Sequence, residues 1–160
     1  MKVAIITSLC GLKTQLCDPE KVFDGVDYIA FVDVINPDCR VWDQRQAIDF
    51  TLDDKYRGRR NAKIYKVMPN MFLPEYDYWF WVDSTHEVIM HPQEIIKKYL
   101  GESEIGLWKH TDRDCAYKEA DIIKQLGYDH MELVDGQITE YTQRANIQLS
   151  DRQVRQLGNS

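Results

Sequence analysis

Five consecutive apolar and aromatic residues, Tyr78-Trp79-Phe80-Trp81-Val82, stop abruptly at Asp83-Ser84-Thr85. Such a run reads as a strand covered on both faces, the kind found in parallel sheets packed between helices. Two more stretches have the same character. Residues 3–8 form a β-branched run that opens at Cys10-Gly11, and Tyr28-Ile29-Ala30-Phe31-Val32 is a second apolar strand ending at Asp33. Ile105-Gly106-Leu107-Trp108 is a fourth, shorter strand, followed by Lys109-His110. A further short strand and a connection fall between Val41 and Phe50.

Helical patterns lie between these runs. Residues 53–68 read mostly as helix, with Asn61, Ile64 and Met68 close to one face and Lys63 and Lys66 flanking it. Pro74 marks a turn before the aromatic strand. His91-Pro92 starts a helix whose apolar side is Ile95, Ile96, Tyr99 and Leu100, and Gly101 stops it. Residues 115–126 form another helix ending at Gly127. The remainder is polar, and a last helix is assigned to 138–158. Strand and helix alternate, so the chain is expected to be α/β, with a mostly parallel central sheet flanked by helices on both faces. Ligands of such sheets bind beyond the carboxyl ends of the strands. Thr7-Ser8, Asp33, Asp83 and His110 all fall at those ends.

Composition narrows the function. The 160 residues fit one domain, and 44% of them are hydrophobic, enough for a core. A net charge of −6 argues against a protein that grips a nucleic-acid backbone, while leaving room for one small phosphate site. The four cysteines, Cys10, Cys17, Cys39 and Cys115, make no Cys-x-x-Cys pair and fit no zinc pattern. They are expected to be reduced and mostly buried. No run of about 18 apolar residues is present, and the N-terminus shows no signal-peptide pattern. A cytoplasmic protein of bacterial or phage origin is the expectation.

Two features carry chemistry. Asp83 is a carboxylate fixed at a strand end, suited to a hard divalent cation such as Mg2+ or Mn2+. The bland alternative is a carboxylate that caps the following turn. Ahead of it, Arg57-Gly58-Arg59-Arg60-Asn61-Ala62-Lys63-Ile64-Tyr65-Lys66 packs five cations into ten residues. Arginine forks and lysine charges suit a diphosphate, though a solvated helix face has the same composition. The Trp79, Phe80, Trp81 and Trp108 cluster is read as core.

These segments together resemble a known family. Asn61-Ala62-Lys63-Ile64-Tyr65-Lys66, then Phe72-Leu73-Pro74-Glu75-Tyr76-Asp77-Tyr78-Trp79-Phe80-Trp81-Val82-Asp83, is similar to the hallmark of a hexosyltransferase family once known only as a domain of unknown function. It includes plant mucilage and cell-wall glycosyltransferases and bacterial or phage glycosyltransferase-like proteins. Members show Arg-x-Ala-Lys-x-x-Lys, then Pro-x-Tyr-x-Tyr leading to Trp-Ile-Asp-Gly. Residues 3–11 with 27–33 resemble the family's opening segments, and residues 109–120 its Lys-His-Pro-x-Arg-x-Cys-x-Tyr-x-Glu-Ala. The likeness runs over roughly residues 3–130.

The resemblance implies a Rossmann-like glycosyltransferase-A fold, compact or shortened at its C-terminus. Residues 1–100 would form the nucleotide-sugar half and 101–160 the acceptor half. The activity it implies is transfer of a hexose-type sugar from a nucleoside-diphosphate donor. Asp83, His110 and Glu119 would be catalytic, and Thr7, Asp33, Arg60, Lys63, Lys66 and Arg113 would bind the donor. Asp83 would be the first acid of an Asp-x-Asp metal motif, but position 85 is Thr85, a weak ligand at best. Metal dependence is therefore open. A non-catalytic nucleotide-sugar-binding or regulatory protein on the same fold is the alternative. A nucleotidyltransferase fits worse, because Cys10-Gly11 is too sparse for a glycine-rich phosphate loop. The acceptor, and any self-association, are not specified.

Overall fold

The computed structural model describes residues 1–11, 15–51, 55–109, 112, 115–145 and 155–157. The chain divides into two compact units, Met1–Glu94 and Ile95–Ser160.

The first unit is built on a four-stranded, all-parallel sheet. Its strands are β1 (Val3–Leu9), β2 (Val26–Val32), β3 (Asp43–Gln46) and β4 (Tyr78–Trp81), in the order β3-β2-β1-β4. Helix α1 (Arg57–Val67) and the single turn α2 (Pro69–Phe72) connect β3 to β4. This is the expected α/β, Rossmann-like arrangement. β1 and β2 are buried almost throughout, as their unbroken apolar runs require.

One face of the sheet packs on α1 and α2. Ala4, Ile6, Ile29 and Phe31 meet Tyr65, Leu73 and Tyr76 there. The rings of Phe31 and Tyr65 stack at 3.9 Å, and Phe72 closes on Tyr65 at 4.6 Å. On the other face of this unit, part of the cover is extended chain. Leu9, Ala30 and Val32 pack on Leu16, with Trp42 and Cys39 beside them. Long-range bonds hold that cover in place: Glu20 N–H donates to Glu87 Oε1 (3.1 Å), and Lys21 Nζ to the Ile89 carbonyl (3.0 Å).

Helix α1 is amphipathic in a way the sequence only half discloses. Its buried residues are Asn61 and Tyr65, four apart, while Met68 lies exposed beyond its end. Both buried side chains clamp the segment after β3. Tyr65 Oη accepts the Ile48 N–H (2.7 Å), Asn61 Oδ1 accepts the Phe50 N–H (3.0 Å), and Asn61 Nδ2 donates to Asp49 Oδ1 (2.6 Å). Arg57 pairs with the other Asp49 oxygen. Replacing Asn61 by alanine leaves a part-buried N–H and half of a carboxylate without their partner, at a cost of about 1 kcal/mol. In a thermal melt this is expected to lower Tm by roughly 2–4 °C per kcal/mol, and an unchanged Tm would show that the clamp contributes nothing.

Several expectations need correction. β4 is half-buried along its whole length, not covered on both faces, because it lies at the end of the sheet with β1 as its sole strand neighbour among the described residues. Trp108 is 66% exposed and is no part of a core. Its strand, β5 (Gly106–Trp108), does not join the main sheet; it pairs in parallel with β6 (Arg155–Leu157) inside the second unit. The last described helix, α5 (Met131–Ala145), starts earlier than expected, and residues 155–157 of the expected helix form β6 instead.

From Pro92 onward the described chain otherwise follows its sequence signals. α3 (Pro92–Ile95) begins at Pro92 and runs into a π-helical turn, Ile96–Leu100, that ends at Gly101 with φ +57°. α4 (Ala116–Gln125) is followed by Gly127 at φ +63°, where a side chain would be strained. α4 and α5 pack together, and Lys124 Nζ bridges them by meeting Asp135 at 2.8 Å. All four cysteines are free, but only Cys10 is buried and Cys17 is exposed. No described helix is long and apolar enough to cross a membrane.

Candidate functional site

The strand order locates a crevice. The chain steps outward from β1 to β2 to β3, then returns to lay β4 on the opposite side of β1. At such a switch point the loops leaving β1 and β4 diverge, and the gap between their carboxyl ends is where open α/β sheets hold ligands. Val82 N–H still donates to the Ile6 carbonyl (3.0 Å), so the ladder holds to the last residue before Asp83. Asp83 therefore leaves the sheet at the mouth of the crevice, and it is exposed.

Its carboxylate is oriented from below. Trp81, two residues back and on the same side of the strand, donates its indole Nε1–H to Asp83 Oδ1 at 2.9 Å. The Asp83 carbonyl accepts the His86 N–H (2.8 Å), which closes the turn Asp83–His86. The second carboxylate oxygen accepts no hydrogen bond from a described residue. The turn is thus held by the Asp83 backbone, and the side chain is left for other work.

The cationic helix stands over this end. Lys66 Nζ lies 5.6 Å from the centre of the Trp81 ring, so the contacts run from α1 through Trp81 to Asp83. The five cations do not act alike. Arg57 is committed to Asp49, and the Arg60 guanidinium leans on the Tyr56 ring at 5.9 Å. Lys63 is exposed on the helix surface. At its first turn α1 has no acidic residue and no side-chain cap, so its N–H dipoles leave a positive end there.

The loop leaving β1 is framed by polar groups. Asp33, at the end of β2, accepts the Gly11 N–H, and its own N–H donates to the Leu9 carbonyl (3.2 Å). Gln46 Nε2 donates to the Asp33 carbonyl (3.1 Å). Ser8 Oγ and Cys10 Sγ share a hydrogen bond at 3.3 Å. Burial pushes the Cys10 thiol up despite that bond, and the Asp33 charge adds to the rise, so Cys10 stays a protonated, inert thiol. Thr7 is 1% exposed, and its hydroxyl has no partner among the described residues. Glycine completes the frame. A Cβ on Gly58, in the first turn of α1, would overlap the Cys10 carbonyl oxygen, so α1 touches β1 through bare backbone.

Among the described residues, no three His, Cys, Asp or Glu side chains gather to hold a metal. Asp83 offers one unused oxygen, and Thr85 Oγ1 is engaged with His86 Nδ1 at 3.0 Å. This donor set does not make a free-standing cation site; a Mg2+ or Mn2+ ion here would need most of its oxygens from phosphates and water. A cavity of about 480 Å3 opens at the opposite, amino ends of the strands, beside Val22, Val26, Asp27 and Asp43. Its carboxylates are already engaged, Asp27 with Tyr76 Oη (2.7 Å) and Asp43 with Arg45 (3.0 Å). Topology and free functional groups both favour the carboxyl ends.

The first unit thus contains Thr7, Asp33, Arg60, Lys63, Lys66, Asp83 and Thr85, and Trp81 links Lys66 to Asp83. Glu119 stands on α4 in the second unit. His110 and Arg113 lie outside the described residues. The sequence reading missed three participants. Trp81 was assigned to the core, although its spacing of two from Asp83 is the signal that both share a face. Gly58 was passed over inside the basic run, where a lone glycine in a helix marks close backbone approach. Cys10 was counted only as a thiol.

Comparison with known proteins bears on residues 50–157, which match the family described as "TOD1/MUCI70, glycosyltransferase-like domain". The match takes in α1, β4, Asp83 and α4, and leaves β1, β2 and β3 outside it. Among curated proteins, "Probable hexosyltransferase MUCI70" of Arabidopsis thaliana is 29% identical over 87 residues. That alignment covers 52% of this chain and 15% of the plant protein. No solved structure matches. With more than half of its length matched, including the cationic helix and the Asp83 strand, the chain belongs to the TOD1/MUCI70 glycosyltransferase-like family.

Proposed function

We propose that the chain is a glycosyltransferase domain of the glycosyltransferase-A type that takes a hexose-type sugar from a nucleoside-diphosphate donor. The observation that carries this is the exposed Asp83 carboxylate at the β1/β4 crevice, braced by Trp81 beneath Lys66 of a cationic helix. Displacement at an anomeric carbon leaves negative charge on the departing diphosphate. Positioned cations stabilise that charge best when they are fixed before the reaction. Lys66, Lys63 and Arg60, with the N-terminal dipole of α1, supply this role. Asp83 orients the donor through its sugar hydroxyls or a substrate-bridged cation. Asp33 would lie at the nucleoside, with Thr7 beneath it inside the sheet. Catalytic roles for His110 and Glu119, and donor binding by Arg113, rest on the family resemblance alone.

The test is a thermal-shift screen of uridine, guanosine and adenosine diphosphate sugars, each with and without Mn2+. A true donor at 100 times its Kd stabilises the native state by about 2.7 kcal/mol. For a chain of this length that raises Tm by roughly 5–10 °C. Flat melts across the panel would remove nucleoside-diphosphate sugars as the ligand class. The replacement of the second motif acid by Thr85 favours one competing reading, binding without transfer. Slow release of free nucleoside diphosphate from a stabilising donor distinguishes the two, because a pure binder leaves the donor intact.

A further inference from the structure

We propose that Trp81 is a positioning residue, whose indole N–H holds Asp83 in the orientation that ligand binding at the crevice requires. This rests on the reading of Asp83 as the ligand-facing carboxylate. An exposed aspartate on a turn would normally sample several rotamers, and ordering it would be left to the ligand. Here the donor is a ring whose own position is set by the sheet. Trp81 pairs with Ile6 in the ladder, packs against the core cluster of Ile6, Phe31 and Tyr65, and carries Lys66 Nζ over its face at 5.6 Å. The indole has one hydrogen to give, and it goes to Asp83 Oδ1 at 2.9 Å rather than to solvent. One oxygen is thereby fixed, and the other is presented outward. The neighbouring Trp79 shows the contrast: its Nε1–H donates to the Leu73 carbonyl at 3.1 Å, a purely structural bond. Lys66 above the ring links the same device to the cationic helix, so displacement of the indole would disturb both charges.

The decisive variant is Trp81→Phe, which keeps an aromatic ring for the core and for Lys66 while deleting the N–H. A lost hydrogen bond to a charged group corresponds to a roughly 10-fold to 100-fold fall in turnover. That fall is expected in the wild-type background and absent in Asp83→Ala, because the deleted N–H acts only through Asp83. A second readout does not depend on activity. The assigned Trp81 indole 1H–15N signal is expected to move upfield in Asp83→Ala, and to shift in the wild type when UDP or GDP is added. Equal losses from Trp81→Phe in both backgrounds, or an indole signal indifferent to Asp83, would overturn the proposal while leaving the site intact. An Asp83→Ala variant with full turnover would instead overturn the site reading and the proposal together. If Trp81→Phe does not fold, the indole signal in Asp83→Ala decides.

Discussion

Asp83→Ala is expected to lower turnover of the accepted donor by at least about 100-fold, the loss seen when one preorganised charge-stabilising group is removed from an active site. Stability should barely change. The side chain is exposed and makes a single described hydrogen bond, to an indole that water can reach in the variant. The turn itself survives, since it is closed by the Asp83 carbonyl and the His86 N–H. A Tm within a few degrees of wild type is therefore expected, at roughly 2–4 °C per kcal/mol. Asp83→Asn sharpens the test. It keeps an oxygen for the Trp81 N–H and removes the negative charge. Full loss in both variants assigns the role to charge, as for a cation or a polarised hydroxyl. Loss in alanine alone assigns it to hydrogen bonding. Unchanged turnover in alanine removes Asp83 from the mechanism. Assaying each variant over a range of donor concentrations separates a rise in KM from a fall in kcat.

What the sequence disclosed about this fold follows from how much each element depends on its own residues. β1 and β2 were legible because a buried parallel strand must be apolar almost throughout, and β4 showed the same apolar pattern although it is only half-buried. α4 was legible because Gly127 marks its end. β3 was expected only as a short strand somewhere between Val41 and Phe50, and its own residues, Asp43-Gln44-Arg45-Gln46, do not fix its bounds. It is one because β2 offers a free edge, while Gln44 and Gln46 tie the neighbouring loop through Asn36 and Asp33. Tertiary pairing outweighed propensity there. β5 was found as a strand but given the wrong sheet, since three residues carry no information about their partner. The site was legible at Asp83, where an apolar run breaks on an acid. The work of Trp81 was not, because a tryptophan in a strand fits a core as well as a bracket, and only the direction of one N–H distinguishes them.

Gly58→Ala should have the broadest effect of any single substitution in the first unit. Gly58 takes no unusual backbone angle, so conformational freedom is not the reason for the glycine; space is. A Cβ there would overlap the Cys10 carbonyl oxygen and lie 2.9 Å from the Cys10 carbonyl carbon and from Gly11 Cα. All three are backbone atoms with nowhere to go. Gly11 is held at φ +69° by its bond to Asp33, and Cys10 is pinned at the end of β1. The helix must therefore give way, tilting its N-terminal turn off the strand end. Overpacking of this kind costs about 1–3 kcal/mol. The functional loss should exceed the loss of stability. The N-terminal arginines move with that turn, and a displacement near 1 Å can cost roughly 100-fold in rate. Gly136→Ala, inside α5 with nothing within 4 Å of the new Cβ, is the matched control. It should stabilise the chain by about 0.5–1 kcal/mol through helix propensity and leave donor turnover unchanged. A Gly58→Ala protein that melts and turns over like wild type would show that α1 does not rest on β1 as closely as its backbone contact implies, and the diphosphate would then need another anchor than this helix.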